Sequence, residues 1–272
     1  MLYSGYSGYV GSLLLTIMIV CFILMMFMFY RRERLYFLPR RTNTNMYERY
    51  RGISYRIVKG KNKDDICGCI LFSHGTSGTI DSLGCYDKIV DIIAPNFDLL
   101  MYDYFGYGES DSRDVGIDSC VKSLEIIYRL ACDKYNRVVL WGESIGGGIN
   151  AKFMKTNSKI DTVIHQDSFA NIKDPINNVF PLMGLMGLMS YFHNDIDVEN
   201  IYASYNRDIN LVIIHSLDDD IIPYESIKQM YKRLDKNEHL SVSFITMRGR
   251  HCQFDIDKNK DDLKLIFDCI KK

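Results

Sequence analysis

Gly142-Glu143-Ser144-Ile145-Gly146 follows an apolar run, Arg137 to Trp141 (RVVLW), and precedes two more glycines, Gly147 and Gly148. A serine hydroxyl is a weak nucleophile at its free pKa. It becomes reactive when a base takes its proton and the backbone presents it clear of its surroundings. Small residues two before and two after Ser144 permit a sharp turn from strand into helix, which does the presenting. The N-terminus of that helix favours a developing negative charge. A glycine-rich turn with a spectator serine is the plain alternative, and five residues alone do not separate the two.

The base must be a histidine, and the chain has six: His74, His165, His193, His215, His239 and His251. Only His251 follows the last apolar run, in a glycine-containing turn (RGRHCQF) that can project a side chain over the end of a sheet. His239 precedes that run, at the wrong end. His165 and His215 fall at the ends of runs and read as packed. An orienting carboxylate could come from Asp218, Asp219 or Asp220, which directly follow the run Asn210 to His215 (NLVIIH). Three adjacent acids can also be a solvated charge cluster, and Asp167 after an earlier run is a further candidate. Of the eight cysteines, Cys67 and Cys69 stand one residue apart, which is not the spacing of a zinc or redox pair. No metal site and no organic cofactor are expected.

Elements able to hold such a site alternate along the chain. The sequence predicts strands at Ile66 to Ser73, Phe97 to Tyr104, Arg137 to Trp141, Thr162 to His165, Asn210 to His215 and Leu240 to Met247. They read as continuous apolar runs, the pattern of a parallel sheet covered on both faces. Helical spacing of apolar residues predicts helices over Ser119 to Cys132 and Tyr224 to Leu234. The expected fold is therefore α/β, a mostly parallel sheet with helices on both faces. Between the fourth and fifth strands, Phe180 to Phe192 (FPLMGLMGLMSYF) is apolar and rich in Met and Gly. It reads either as a tightly packed core helix or as a small apolar cap, in a region of about 170–205.

The chain has 272 residues, of which 47% are hydrophobic and 25% charged, ordinary values for one large folded domain. A net charge of −1 gives no basic excess for nucleic acid. No charged residue precedes Arg31, and Val10 to Tyr30 is apolar throughout. At 1.5 Å per residue, about 20 helical residues cross the ~30 Å hydrocarbon layer. The expected organisation is a short tail over 1–9, a transmembrane helix over 10–30, a basic juxtamembrane linker over 31–52 and the main domain over 53–272. Arg31, Arg32, Arg34, Arg40 and Arg41 follow the span, which places the domain on the cytosolic side of a single-pass protein. A cleaved signal peptide fits less well, because the basic residues come after the apolar run.

Taken together, FSHGTSG, DYFGYGES, GESIGGG, HSLDDDIIP and GRH run in one order over residues ~66 to 251. This resembles the α/β-hydrolase superfamily. Within it, the chain looks like the single-span α/β-hydrolase-domain serine hydrolases related to acyl-protein thioesterases and lysophospholipid or monoacylglycerol lipases. The resemblance implies the chain order Ser, Asp, His. It selects Asp219 among the three acids, four residues before Pro223. It implies that the backbone N–H groups of Thr76 and Ile145 form an oxyanion hole, with His74 structural. Asp103, Gly106 and Gly108 match a family turn to which no chemistry is assigned. The common HG before the acid is His215-Ser216 here, and the common GGH is Arg250-His251 after a glycine. The implied activity is ester or thioester hydrolysis on acyl lipids or acylated proteins, through an acyl-enzyme on Ser144. Rival readings are a serine peptidase of the same fold and a catalytically silent membrane adaptor.

Overall fold

The computed structural model describes residues 13–23, 36–62, 65–84, 86, 87, 92, 94–157, 159–179, 196–254 and 258–271. Contacts divide the chain into two units, Met1–Tyr36 and Phe37–Lys272. In the first, residues 13–23 are helical with exposed side chains. The remainder of the expected span lies outside the described residues. Among the described residues no helix is long and apolar enough to cross a membrane.

The second unit is built on one eight-stranded sheet. Its strands are β1 (Glu48–Tyr50), β2 (Ile53–Val58), β3 (Gly68–Ser73), β4 (Phe97–Tyr102), β5 (Val138–Glu143), β6 (Thr162–Gln166), β7 (Ile209–Ser216) and β8 (Leu240–Met247). The spatial order is β1-β2-β4-β3-β5-β6-β7-β8. Pairing is antiparallel from β1 to β4 and parallel from there to β8. Every residue of β3, β4 and β5 is buried, which is why these strands read as unbroken apolar runs.

Register explains how the core fills. Ile70 and Phe72 pair with Leu99 and Met101 on one side and with Val139 and Trp141 on the other. Strand side chains alternate between faces, so these six residues share one face. Ile164, Val212 and Ile214 extend it, and Leu263, Ile266 and Ile270 of the C-terminal helix Lys260–Lys271 cover it. Helix Ile117–Lys134 (α1) and helix Ile145–Met154 (α2) pack together and against the central strands. α1 buries Cys120, Leu124, Ile127 and Ala131, one stripe at helical spacing. Burying a Leu- or Ile-sized side chain stabilises by roughly 1.5–3 kcal/mol, so each such stripe fixes its helix on the sheet.

Two features differ from the sequence expectation. The domain begins earlier than residue 53, since Phe37 already belongs to the second unit and is buried. Residues 37–45 form a strap across the turn that follows β4. Gly108 N–H donates to the Arg40 carbonyl at 2.7 Å, and Thr42 N–H donates to the Gly108 carbonyl at 3.3 Å. Basic composition hid this strap, because Arg41, though exposed, is spent on the carbonyls of Tyr107 and Ser110, to which it donates. The short antiparallel edge, β1 and β2, was likewise absent from the sequence reading. The expected cap over Phe180 to Phe192 lies outside the described residues. Its flanks adjoin: Asn171 bridges Asp197, and Ile172 N–H donates to the Ile196 carbonyl at 3.0 Å.

Candidate active site

Ser144 stands between β5 and α2 with φ 53° and ψ −120°, a left-handed conformation that a non-glycine residue adopts only when its surroundings enforce it. Two glycines make the turn possible. A Cβ on Gly146 would lie 2.0 Å from the Ser73 carbonyl oxygen, and one on Gly142 would lie 2.5 Å from the Gly147 nitrogen. The turn is pinned from the neighbouring strand. Ser144 N–H donates to the Gln166 carbonyl at 3.0 Å, and Ser168 Oγ donates to the Ser144 carbonyl at 2.6 Å.

His251 reaches this serine from the loop after β8, 107 positions along the chain. Ser144 Oγ donates to His251 Nε2 at 3.0 Å, and His251 Nδ1 donates to Asp219 Oδ2 at 2.8 Å. Asp219 Oδ1 accepts from the N–H groups of Ile221 and Ile222 at 2.9 and 2.8 Å. The Asp219 side chain is 0% exposed and that of His251 is 17% exposed, so the carboxylate is sealed while the imidazole keeps an opening. Asp218 and Asp220 are exposed.

Electrostatics follow from this packing. Burial opposes the Asp219 charge, yet the hydrogen bond and charge of His251 and the two amides outweigh it and lower the pKa. Burial also opposes the His251 cation. The bond and charge of Asp219, with the charges of Asp167 and Glu143, outweigh it and raise the pKa. A base held above its ordinary value near neutrality suits proton transfer.

The expected oxyanion residues sit at the two matching turns. Ile145 opens α2 directly after Ser144. Thr76 lies in the loop after β3, and its direction is set by His74. His74 Nδ1 donates to the Gly75 carbonyl at 2.8 Å, and Gly78 N–H donates to the same oxygen at 3.1 Å. The peptide is planar and trans, so fixing the Gly75 carbonyl fixes the opposed Thr76 N–H. Burial lowers the His74 pKa to about 4, so the ring stays neutral and keeps the tautomer this bond requires. The Thr76 carbonyl is held in turn by Leu38 N–H from the strap at 3.1 Å and by Tyr107 Oη at 2.9 Å.

Asp167 is not beside the His251 ring as the orienting acid. It clamps the loops that carry the acid and the base. Its Oδ1 accepts from Ser216 N–H at 2.6 Å, and its Oδ2 accepts from Ser216 Oγ and Cys252 N–H, both at 3.0 Å. Asp103 is also structural. It is fully buried and accepts from Ile80 N–H at 2.9 Å, and burial pushes its pKa up to about 7. His165 and His215 are fully buried, as expected from their places at strand ends. Among the described residues, Asp167, His215 and Asp219 bring ligand-type atoms within 4.8 Å of one another. Both carboxylates already accept several N–H or O–H groups, which leaves them poorly disposed to a cation. Sequence reasoning missed Glu143 and Ser168. Glu143 carried a signal, since an ionisable residue at the end of an apolar strand must be paired or neutral when buried.

Known proteins agree with this architecture. Residues 64–209 match the family model described as serine aminopeptidase, S33. That stretch contains Ser144 and ends before Asp219 and His251. The chain is similar to YfhR of Escherichia coli strain K12, 25% identical over 203 residues, covering 73% of this chain and 68% of that protein. It is similar to the lysophosphatidylserine lipase ABHD12 of Danio rerio, 22% identical over 197 residues and 65% of this chain, but spans only 50% of that relative's length. Among solved structures, the Pyrococcus furiosus esterase Pf2001 superposes with a TM-score of 0.66 at 13% identity, over 87% of this chain and 97% of that one. With the family model covering more than half of its length, the chain belongs to the serine aminopeptidase S33 family, and it is a serine hydrolase of the α/β-hydrolase superfamily.

Proposed function

We propose that the protein cleaves ester or thioester bonds of acyl lipids or acylated proteins, with Ser144 as nucleophile, His251 as general base and Asp219 as its orienting acid. The observation that carries this is the chain of two hydrogen bonds, 3.0 Å from Ser144 Oγ to His251 Nε2 and 2.8 Å from His251 Nδ1 to Asp219 Oδ2. His251 takes the hydroxyl proton as Ser144 Oγ attacks the acyl carbonyl. The tetrahedral oxyanion lies between the N–H groups of Ile145 and Thr76, each such donor being worth about 10²–10³ in rate. The His251 proton passes to the departing oxygen or sulfur, and an acyl-serine remains. Water, deprotonated by the same imidazole, releases the acid and restores Ser144. The chemistry asks for no metal and no organic cofactor.

Acyl lipid as substrate is supported by the lysophosphatidylserine lipase relative and by the apolar composition of the segment Phe180 to Phe192. The apolar run Val10 to Tyr30 and the arginines after it support a single-pass anchor with the domain on the cytosolic side. A peptidase is the second reading, favoured by the description of the matching family. Hydrolysis of lysophospholipids, monoacylglycerols, acyl thioesters and aminoacyl peptides should be compared, with Ser144→Ala as control. Turnover confined to the acyl substrates is expected. Turnover confined to the peptides would overturn the proposed substrate class.

A further inference from the structure

Behind the Ser144–His251 pair lies a buried carboxylate that the mechanism does not use. Glu143 precedes the nucleophile at the end of β5, and its side chain turns under the site rather than into solvent. We propose that Glu143 is a positioning residue that ties the oxyanion loop and the base loop to the nucleophile turn, and that its charge bears on the His251 imidazole. The inference rests on the acyl-transfer reading above.

Groups from three segments converge on this carboxylate. Tyr86 Oη donates to Oε2. Gly75, in the loop after β3, backs onto Oε1, which a Cβ there would approach to 3.0 Å, and its N–H favours the carboxylate charge. The Cys252 thiol, next to His251, faces the same carboxylate, whose charge opposes ionisation of the thiol. The Gly75 contact has a specific consequence. The peptide joining His74 to Gly75 is met at both ends, by Tyr104 Oη on its carbonyl at 2.9 Å and by the Glu143 charge at its N–H. The next peptide carries the Thr76 N–H, and two donors already fix its carbonyl. Glu143 therefore closes the set of contacts that fixes the direction of that donor.

On the other side, Cys252 N–H is held by Asp167 at 3.0 Å, and its thiol faces Glu143. Cys252 has φ 55°, a strained conformation that needs such anchoring. Tyr86 is itself set by Gln166, whose Nε2 donates to Tyr86 Oη at 3.1 Å, while Trp141 Nε1 donates to Gln166 Oε1 at 2.6 Å. The bracing thus runs back into the sheet.

The titratable groups facing Glu143 are Tyr86, Asp167, His251 and Cys252. Burial pushes its carboxyl up to about 7. The Tyr86 bond opposes the rise, the Asp167 charge adds to it, and the His251 charge and Gly75 N–H oppose it. The charge of each of Glu143 and His251 therefore favours the charged form of the other. An ionised Glu143 favours the imidazolium, which is the inactive form of the base. Removing that charge lets the imidazole lose its proton at lower pH.

The test is the pH profile of kcat/KM for p-nitrophenyl butyrate with the full chain in detergent. Wild type, Glu143→Gln, Glu143→Ala and Tyr86→Phe are compared after circular dichroism has verified folding. Gln keeps an acceptor for Gly75 and loses the charge, so the acidic limb moves down by about one pH unit with little loss at the plateau. Ala loses the acceptor, so kcat falls about 100-fold with KM nearly unchanged, as for a misplaced oxyanion donor. Tyr86→Phe, nearly isosteric, removes one bond that stabilises the charge and shifts the limb in the same direction by less. An unmoved limb in both Glu143→Gln and Tyr86→Phe, on an enzyme whose Ser144 reacts with a fluorophosphonate, overturns this inference alone. A wild type that does not react at Ser144 overturns both it and the reading beneath it.

Discussion

Ser144 and His251, the proposed nucleophile and base, are positioned by different means. Ser144 is held mainly by backbone: a strained φ, two glycines without room for a Cβ, and a main-chain bond to the adjacent strand, with one side-chain bond from Ser168. His251 and Asp219 sit on loops, and those loops are held by side chains, above all the carboxylate of Asp167. The two loops also bond each other, Leu217 N–H to the Met247 carbonyl at 2.8 Å and Asp218 N–H to the Gly249 carbonyl at 3.2 Å. A turn built into the sheet cannot be altered without altering the fold. A loop held by a buried acid can be loosened while the fold survives. Damage on the Ser144 side should therefore register as instability, and damage on the His251 side as lost turnover in a folded protein.

The largest effect on turnover separates the two sides most sharply. Asp219→Asn keeps the shape but no longer stabilises the imidazolium or its tautomer. kcat/KM should fall about 10⁴-fold with the melting temperature nearly unchanged, measured by ester hydrolysis beside thermal unfolding. The acidic limb of any residual activity should move to lower pH, because the charge that outweighs burial and raises the His251 pKa is gone. A large drop in melting temperature would blur the distinction. Gly146→Ala is the converse. Its Cβ would fall 2.0 Å from the Ser73 carbonyl oxygen, so the turn must shift. Overpacking of this kind costs about 3 kcal/mol. For a domain this size that lowers Tm by about 10 °C. A variant of unchanged Tm would show that the turn is looser than its geometry implies.

The smallest effect lies between them. Asp167→Asn replaces one acceptor oxygen with an NH2 group, which must face either Ser216 N–H or Cys252 N–H. One buried donor loses its partner, at about 1–3 kcal/mol. The loops should loosen, with kcat down about tenfold while Ser144 still reacts with a fluorophosphonate. Unchanged kcat would remove Asp167 from the account of how the base is held.

Much of this was legible in the sequence, and for a common reason. Fully buried parallel strands leave unbroken apolar runs, as at β3, β4 and β5, and the partly buried edge strand Leu240–Met247 and the helix Tyr224–Leu234 also have the bounds the sequence pattern indicated. Ser144 stood out because its turn needs glycines, and His251 because it alone follows the last strand. The acid was not separable from Asp218 and Asp220 by residue type; only the resemblance selected Asp219. What escaped were residues whose role lies in distant partners. The strap at 37–45 looked like a basic linker, since nothing local shows that Arg41 is spent on the carbonyls of Tyr107 and Ser110, more than sixty residues away. Glu143 and Asp167 are single acids at the ends of buried strands, and donors to them come from segments far along the chain. Only the folded register brings those donors together.

The central claim is that Ser144 is the reacting atom's carrier, and the most direct measurement is site-mapped labelling by a fluorophosphonate. Full-length protein is treated at neutral pH, digested, and the adduct located by mass spectrometry, with Ser144→Ala in parallel. One adduct on Ser144, absent from the variant, is the expected result. No adduct in folded wild type, or equal labelling of the Ser144→Ala chain, would contradict the account.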